Sequence, residues 1–233
     1  MSAHEPSRTT AGIPLPALVA ELRSRCEAAS RLQGGSTHYQ EELGIFRSLA
    51  EAESLFLGSL PPELNRTPDE EGNEHQVWYP KGSNTVLKAT WPDFFGMLVV
   101  HRPDAEPKAS PIEYLERWAL HNELFGDDVR LIGAFDSDSG LRLLISQPAI
   151  AGKPATEEQI RGFFANSGWL PFSIHGETAY FDPSRNVVVS DTHRANLILM
   201  ADGNLAPIDL RVQPLSGALL DTVMRLSAPS SRP

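Results

Sequence analysis

The sequence predicts an α+β fold in which helices and short antiparallel strands follow one another without an internal repeat. Two observations indicate this class. Apolar residues recur at helical spacing from Leu15 to Ala29, whereas the shorter runs HQVWY, TVLKAT, VRLIGAF and LRLLISQ carry strand-forming residues between turn sequences. The chain has 233 residues, which is long enough to bury a substantial core.

Charge and cysteine content exclude several classes of protein. Twenty Lys and Arg residues against thirty Asp and Glu give a net charge of −10, which argues against a protein that mainly neutralises nucleic-acid phosphates. The single cysteine, Cys26, excludes an internal disulfide and favours a reducing, cytoplasmic location. No apolar run is long enough to cross a bilayer. We therefore expect neither a nucleic-acid nor a membrane partner.

We expect two parts in the chain, divided near residue 66. Residues 1–66 would form a tail and a helical extension, with one helix from about Leu15 and another from about Tyr39 to Leu57. The segment SLPPELNRTPDEEGN is rich in Pro and acidic residues and indicates a connector. Residues 67–233 would form the β-rich domain.

Two helix starts carry capping boxes, in which a Ser or Thr and a Glu or Gln three residues later bond each other's backbone. Ser110 and Glu113 begin a helix that we predict to end near Phe125. Thr156 and Gln159 begin a second helix. These helices lie between the predicted strands, as expected for an α+β chain.

The stretch NVVVSDTHRANLILMADGNLAPIDLRV brings polar residues beside two apolar runs. Asp202-Gly203 lies between LILM and LAPI and predicts a β-hairpin with a two-residue type I′ turn. In that register Asn196 faces Asp209, so that their side chains converge. Asp191 lies shortly upstream and would line the same end of the hairpin.

A site is the best interpretation of these three polar residues taken together. Any one of them could simply satisfy the local backbone. Two carboxylates and an amide that face one another would repel or stay unsatisfied without a cation. Oxygen ligands suit Mg²⁺, which keeps waters and phosphate oxygens in its shell. The sequence therefore predicts a magnesium site at Asn196 and Asp209, beside Asp191.

These residues also carry a resemblance to a known fold. The D-x-x-x-x-N spacing from Asp191 to Asn196, followed by Asp209 after a hairpin, resembles the catalytic loop and Mg²⁺-binding Asp of protein kinases. Through YLERWALHNELFGDDVRLIG, a Gln-Pro hinge, and SDTHRAN with PIDL, the chain is similar to the serine/threonine/tyrosine kinase-like domains of polyvalent proteins from phages and conjugative elements. The similarity covers about Gly72 to Val212. It implies a reduced bilobal fold: a small antiparallel sheet with one helix, and a shortened C-terminal lobe.

The resemblance implies roles for charged residues around ATP. Lys88, in the TVLKAT strand, would bind the α- and β-phosphates, and Glu116 on the following helix would hold this lysine. A helical wheel whose apolar face is defined by Ile112, Leu115, Ala119 and Leu120 puts both Glu116 and Glu123 in that face, so Glu123 is the alternative partner. A rotated helix with both acids in water is the other interpretation. Asp191 would orient or deprotonate the acceptor hydroxyl.

Further contacts to ATP are implied for the backbone. Gln147, Ala149 and Ile150 follow the LRLLIS strand and would contact the adenine. Gly72 would lie in the loop that covers the phosphates, although the full G-x-G-x-x-G pattern is missing.

Departures from the kinase pattern keep more than one function open. Val189-Ser190 stands where kinases have His-Arg, Leu210-Arg211 replaces the Phe-Gly of D-F-G, and no activation segment ending in A-P-E follows. The main prediction is a Mg²⁺-ATP-dependent phosphotransferase acting on an unidentified hydroxyl acceptor, expected to be a protein. The alternatives are a non-catalytic, pseudokinase-like module that binds nucleotide or a partner protein, and a nucleotidyl (AMP) transferase.

Overall fold

The computed structural model describes residues 12–33, 39–101 and 106–228, and the predicted N-terminal tail falls largely on residues 1–11, outside this range. The helices are α1 (Leu15–Gln33), α2 (Tyr39–Ala52), α3 (Pro111–Phe125), α4 (Glu157–Asn166) and α5 (Gly217–Ser227). The strands are β1 (Ile13–Pro14), β2 (Glu70–Glu71), β3 (His75–Trp78), β4 (Thr85–Thr90), β5 (Arg130–Ser137), β6 (Gly140–Pro148), β7 (Lys153–Pro154), β8 (Leu170–Ile174), β9 (Glu177–Asp182), β10 (Val187–Ser190), β11 (Leu197–Leu199), β12 (Leu205–Pro207) and β13 (Arg211–Pro214). The predicted α+β class is confirmed. Within the described ranges, no helix combines the length and the apolar character that crossing a membrane requires.

The chain forms two compact units that are interleaved in sequence. The first unit contains the described residues up to Gly96, together with Lys108–Ala119 and Asp128–Ala149. The second contains the described parts of Met97–Pro107, Leu120–Asp127 and everything from Ile150 onward. Helices α1 and α2 thus belong to the same unit as the strands that follow them. A domain division at residue 66 stays a prediction.

The first unit is built on a six-stranded antiparallel sheet of order β1-β5-β6-β4-β3-β2. Helices α1, α2 and the first part of α3 pack on one face through Leu22, Phe46 and Trp118. A second apolar cluster, which includes Leu64 and Trp78, covers the other face. Because both faces of β5 and β6 are buried, these strands are almost continuously apolar rather than alternating.

The chain after α2 joins the sheet instead of continuing the helix. The Leu57 N–H donates to the Ala134 carbonyl at 2.7 Å, and the Ala134 N–H donates to the Leu55 carbonyl at 2.9 Å. A Cβ atom at Gly133 would lie 2.5 Å from that Leu55 oxygen, so only glycine permits this approach. Helix α2 therefore ends at Ala52 and not at the predicted Leu57.

The second unit contains a four-stranded sheet of order β13-β10-β9-β8 and a three-stranded sheet of order β12-β11-β7. Strand β10 lies between β9 and β13, and all four of its residues are buried. Its side chains alternate between two clusters. Val187 and Val189 pack with Phe164 of α4, whereas Val188 packs with Val223 of α5. The strand is thereby fixed from both faces.

Both predicted capping boxes are confirmed. The Ser110 N–H donates to Glu113 Oε2 at 2.8 Å, and the Glu113 N–H donates to Ser110 Oγ at 3.4 Å. The Gln159 N–H donates to Thr156 Oγ1 at 3.2 Å, and the Thr156 N–H donates to Gln159 Oε1 at 2.9 Å. Helix α3 ends at Phe125, as predicted.

The turn between β11 and β12 differs from the predicted two-residue turn. Gly203 has a φ of +86°, whereas Asp202 does not have the positive φ that a type I′ turn requires. The Asp202 carboxylate instead accepts a hydrogen bond from the Asn204 N–H at 3.0 Å, and the Gly203 N–H donates to the Met200 carbonyl at 3.1 Å. This is a three-residue loop that ends in a left-handed glycine.

The longer loop moves the register of the hairpin by one residue. Leu197 pairs with Pro207, and the Ile208 N–H donates to the Asn196 carbonyl at 2.9 Å. Asn196 therefore lies opposite Ile208, and the predicted pairing of Asn196 with Asp209 is wrong. The same dipeptide fits both loop lengths, and the Asp202 contact stabilises the longer one.

Substitution of Gly203 tests the left-handed turn. Alanine at a φ of +86° is strained, so we expect Gly203→Ala to lower the free energy of unfolding by roughly 1 kcal/mol. Gly162 lies inside α4 with open space around its Cα, so Gly162→Ala is the matched control and should raise it by about 0.5–1 kcal/mol. Urea unfolding curves measure both, and equal effects of the two substitutions would contradict the turn assignment.

The reactivity of Cys26 tests the packing of α1 and α2. Burial, with added repulsion from Glu42 and Glu41, raises the pKa of the Cys26 thiol to about 11. The thiolate is the reactive form, so alkylation by iodoacetamide near pH 8 should be on the order of 100-fold slower in the folded chain than in urea. Equal rates would show that Cys26 is exposed.

Candidate active site

Asp191 directly follows the buried central strand of the second unit. Its backbone is left-handed, with a φ of 60°, which is uncommon for residues other than glycine and often marks functional positions. Strand β10 pairs with β9 up to Val189 and with β13 up to Ser190, which lies opposite Arg211. The strand therefore fixes the position of the Asp191 backbone, from which the carboxylate extends.

The Asn196 side chain joins the two predicted acidic positions. Its Nδ2 atom donates to the Asp191 carbonyl at 3.0 Å and to the Asp209 carbonyl at 3.1 Å. The structure thus brings Asn196, Asp191 and Asp209 together, although through backbone carbonyls and in a register different from the predicted one. Both amide hydrogens of Asn196 serve this bridge, which leaves its Oδ1 atom to act as a ligand.

Two basic side chains orient the Asp191 carboxylate. His193 Nε2 lies 3.2 Å from Asp191 Oδ1, and Arg211 Nη2 lies 3.8 Å from Asp191 Oδ2. Sequence reasoning treated Arg211 only as a departure from the D-F-G pattern. Arg211 of β13 lies opposite Ser190 of β10. That pairing brings Arg211 to the start of the loop and could have indicated a role for it.

Asn196 and Asp209 fit a magnesium site that is completed by other oxygen atoms. An amide oxygen and a carboxylate are the hard ligands that Mg²⁺ prefers. Among the described residues, no group of three or more His, Cys, Asp or Glu side chains could enclose a metal ion. Waters and phosphate oxygens would have to supply the remaining ligands, which suits a magnesium-nucleotide complex better than an all-protein cage.

Lys88 is a buried cation of the first unit. It lies on β4 opposite Val77, and only 6% of the residue is exposed. Its Nζ atom lies 5.2 Å from the centroid of the Trp118 ring, within the range of a cation–π interaction. The indole therefore limits the positions that the ammonium group can take.

The predicted partners of Lys88 lie elsewhere. Glu116 forms an ion pair with Arg23 of α1 and not with Lys88. Glu123, the alternative, is exposed. The predicted Lys88–Glu116 pair is thus absent between these described residues, and the helix is rotated relative to the predicted wheel.

The rotation of α3 has a clear cause. Its buried face contains Tyr114, Leu115, Trp118 and His121, whereas the wheel was centred on aliphatic residues alone. Large aromatic side chains gain more from burial than the smaller alanine at position 119. They therefore turn Glu116 toward the edge of the helix.

A buried ion pair missed by sequence reasoning holds α3 to the sheet. Arg117 Nη1 donates to Glu74 Oε2, and the side chains of both residues are less than one-tenth exposed. Next to this pair, His75 Nε2 is hydrogen-bonded to the Tyr114 hydroxyl at 2.9 Å. Arg117 lies three positions after Tyr114 and four before His121, so a wheel that included these rings would have put it on their side of α3. Its guanidinium lies 5.0 Å from the centroid of the Trp118 ring.

The backbone of Gly72 is engaged in the β2–β3 turn. Its N–H donates to the His75 carbonyl at 2.8 Å, and its carbonyl accepts from Trp91 Nε1 at 3.0 Å. Both bonds close the turn at the predicted loop. The Gly72 N–H is therefore engaged in a hydrogen bond within the protein.

The predicted adenine-contacting residues differ in availability. The Ala149 N–H donates to the Asn84 carbonyl at 2.8 Å, so it belongs to the end of the first unit's sheet. Gln147 is buried opposite Val86 on β4. Ile150, which begins the last segment of the second unit, is exposed.

A comparison with protein families gives one match. The family model described as Serine/Threonine/Tyrosine Kinase found in polyvalent proteins matches residues 39–213. This range contains Lys88, Asp191, Asn196 and Asp209, and it begins with α2 rather than near Gly72. Comparisons with curated proteins and with solved structures gave no match. The predicted resemblance is confirmed. Because the match covers well over half of the sequence, the chain belongs to the family of serine/threonine/tyrosine kinases found in polyvalent proteins.

Proposed function

We propose that the chain is a Mg²⁺- and ATP-dependent phosphotransferase that acts on a hydroxyl group of a protein. The observation that carries this proposal is the Asn196 amide, which bridges the carbonyls of Asp191 and Asp209. The amide would thereby hold the proposed general base and the proposed metal ligand in fixed positions relative to each other. Membership of the kinase family supports kinase-like activity in general.

The proposed reaction assigns one role to each side chain of this loop. The acceptor hydroxyl oxygen attacks the γ-phosphorus while the bond to the ADP oxygen breaks, and the hydroxyl proton passes to the Asp191 carboxylate. Held by Asn196 and Asp209, Mg²⁺ would neutralise charge on the phosphate oxygens. His193 and Arg211 keep the Asp191 carboxylate oriented toward the acceptor.

Lys88 is proposed to bind the phosphates of ATP that are not transferred. An ammonium group forms charge-assisted hydrogen bonds with phosphate oxygens, and contact of Lys88 with Trp118 limits its motion before ATP binds. In this proposal the Arg117–Glu74 pair holds α3 in place, since Glu116 pairs with Arg23.

The backbone contacts to ATP are proposed with one change. Gln147, Ala149 and Ile150 would contact the adenine through groups other than the Ala149 N–H, which bonds Asn84. Gly72 would cover the phosphates by closing the β2–β3 turn.

A pseudokinase-like nucleotide-binding module is the second candidate. The Arg23–Glu116 ion pair favours it, because the glutamate that kinases use to hold their lysine is engaged by another cation. Both candidates predict binding of ATP, and only the first predicts transfer of phosphate.

Substitutions in the loop test the transfer step. Asp191→Asn removes the proposed base and should lower the rate of transfer of labelled γ-phosphate by about 10²–10⁴-fold, with little change in ATP affinity. Asp209→Asn removes a proposed metal ligand and should lower both the rate of transfer and the affinity for ATP. Asp138→Asn, in the exposed β5–β6 turn, is the matched control and should change neither. Label transfer that survives both loop substitutions would contradict the assignment of the site.

Lys88→Met tests the phosphate contact. Methionine keeps the apolar packing against Trp118 and removes the charge, so the Kd for Mg²⁺-ATP should rise roughly 10–100-fold by calorimetry. The exposed Lys153 of β7 gives the control Lys153→Met, which should bind ATP like the unchanged chain. An unaltered Kd in Lys88→Met would exclude Lys88 from the ATP site.

A further inference from the structure

The second unit contains a pocket beside Asp191 that has no role in the steps above. Its volume is about 260 Å³, and its wall includes the aliphatic residues Met97, Leu98 and Ile174. Ser190 and Arg211 also line it. Ser190 immediately precedes Asp191, and Arg211 forms an ion pair with Asp191. The pocket therefore shares two of its residues with the surroundings of the proposed base.

The burial of the lining residues distinguishes the mouth of the pocket from its inner end. His175 and Glu177 are exposed and mark its mouth, whereas Ser190 is only 3% exposed and marks its inner end. A side chain that enters past His175 points toward Ser190, the residue before Asp191. The tip of that side chain would come near Ser190 and its strand partner Arg211, which is paired with Asp191.

Two parallel imidazole rings line the pocket. His101 and His175 stack with ring centroids 5.9 Å apart and an angle of 7° between their planes. His175 and Gly176 have φ values of 50° and 82°, so a tight turn between β8 and β9 fixes the outer ring. The face of an imidazole ring packs well against a further aromatic ring. The aliphatic wall of the pocket favours the same kind of ligand.

We propose that this pocket binds the side chain of a tyrosine, and that the acceptor of this kinase-family chain is a tyrosyl hydroxyl. The inference rests on the proposed function, in which Asp191 takes the proton of the acceptor. A phenol carries its hydroxyl at the far end of the ring and can deliver it to the inner end of the pocket. The hydroxyl of serine or threonine lies one carbon from the backbone and stays at the mouth.

Charge at the inner end of the pocket also suits a phenol. Arg211 lines the pocket and its guanidinium lies 3.8 Å from the Asp191 carboxylate, so it would stabilise negative charge that develops on the phenolic oxygen. Arg211 thus has two functions in this proposal: it orients the base and it contacts the acceptor oxygen.

Four peptides of otherwise identical sequence test the proposal, with Tyr, Ser, Thr or Phe at the central position. We expect labelled γ-phosphate on the Tyr peptide and none on the Ser or Thr peptide, with the Phe peptide acting as a competitive inhibitor of the Tyr peptide. A kcat/KM for the Ser or Thr peptide that equals or exceeds that for the Tyr peptide would overturn the proposal.

His175→Asn tests the pocket itself. Asparagine tolerates the left-handed backbone but lacks the ring, so the KM for the Tyr peptide should rise about three- to tenfold while the KM for ATP is unchanged. Asn186→His makes the reverse exchange in the β9–β10 turn, also at a positive φ, and should leave both KM values unchanged. An unchanged peptide KM in His175→Asn would overturn the proposal.

Direct binding separates this inference from the proposed function. If Mg²⁺-ATP binds but no peptide is labelled, the phosphotransferase proposal fails. The pocket is then judged by binding of the Tyr and Phe peptides, measured by fluorescence anisotropy. Binding that is lost in His175→Asn supports an aromatic pocket, and absence of binding by both peptides overturns it.

Discussion

The arrangement of Asp191 and Asp209 in the second unit depends on one side-chain amide. Asn196 donates to the carbonyls of Asp191 and Asp209, which belong to segments on either side of the β11–β12 hairpin. Each of these carbonyls accepts a hydrogen bond from the amide, so replacement of the amide removes two hydrogen bonds. Strand β10 and the Gly203 turn bring the two segments near each other, and the amide sets their final positions. The proposed base and metal ligand inherit their geometry from this bridge.

The first unit holds the cationic side chain of Lys88 in an apolar interior. Lys88 lies against Trp118, and the neighbouring Arg117 is paired with Glu74. A buried charge without such compensation is costly. The indole of Trp118 has a guanidinium and an ammonium group near its ring, so it connects the charged residues of α3 and β4. Glu116 pairs with Arg23 at the edge of the helix, and not with Lys88 as the kinase resemblance implied.

Features set by local sequence could be predicted, whereas those that depend on distant contacts could not. Both capping boxes, the strands and the place of the Asp202-Gly203 turn follow from neighbouring residues, and all were found. The register of the hairpin was missed, because it depends on whether the Asp202 carboxylate bonds the backbone after the glycine. The partner of Glu116 was missed, because Arg23 approaches from a helix far away in sequence. The rotation of α3 was missed, because Trp118 was left out of the apolar face.

The bridging role of Asn196 can be measured by calorimetric titration of ATP with and without Mg²⁺. Asn196→Ala removes both the bridge and the amide oxygen, whereas Asn204→Ala removes an amide of the same hairpin that bonds only Asp202. We predict that Mg²⁺ increases ATP affinity in the unchanged chain and in Asn204→Ala, and that Asn196→Ala loses roughly tenfold or more of this increase. A full magnesium effect in Asn196→Ala would contradict the account.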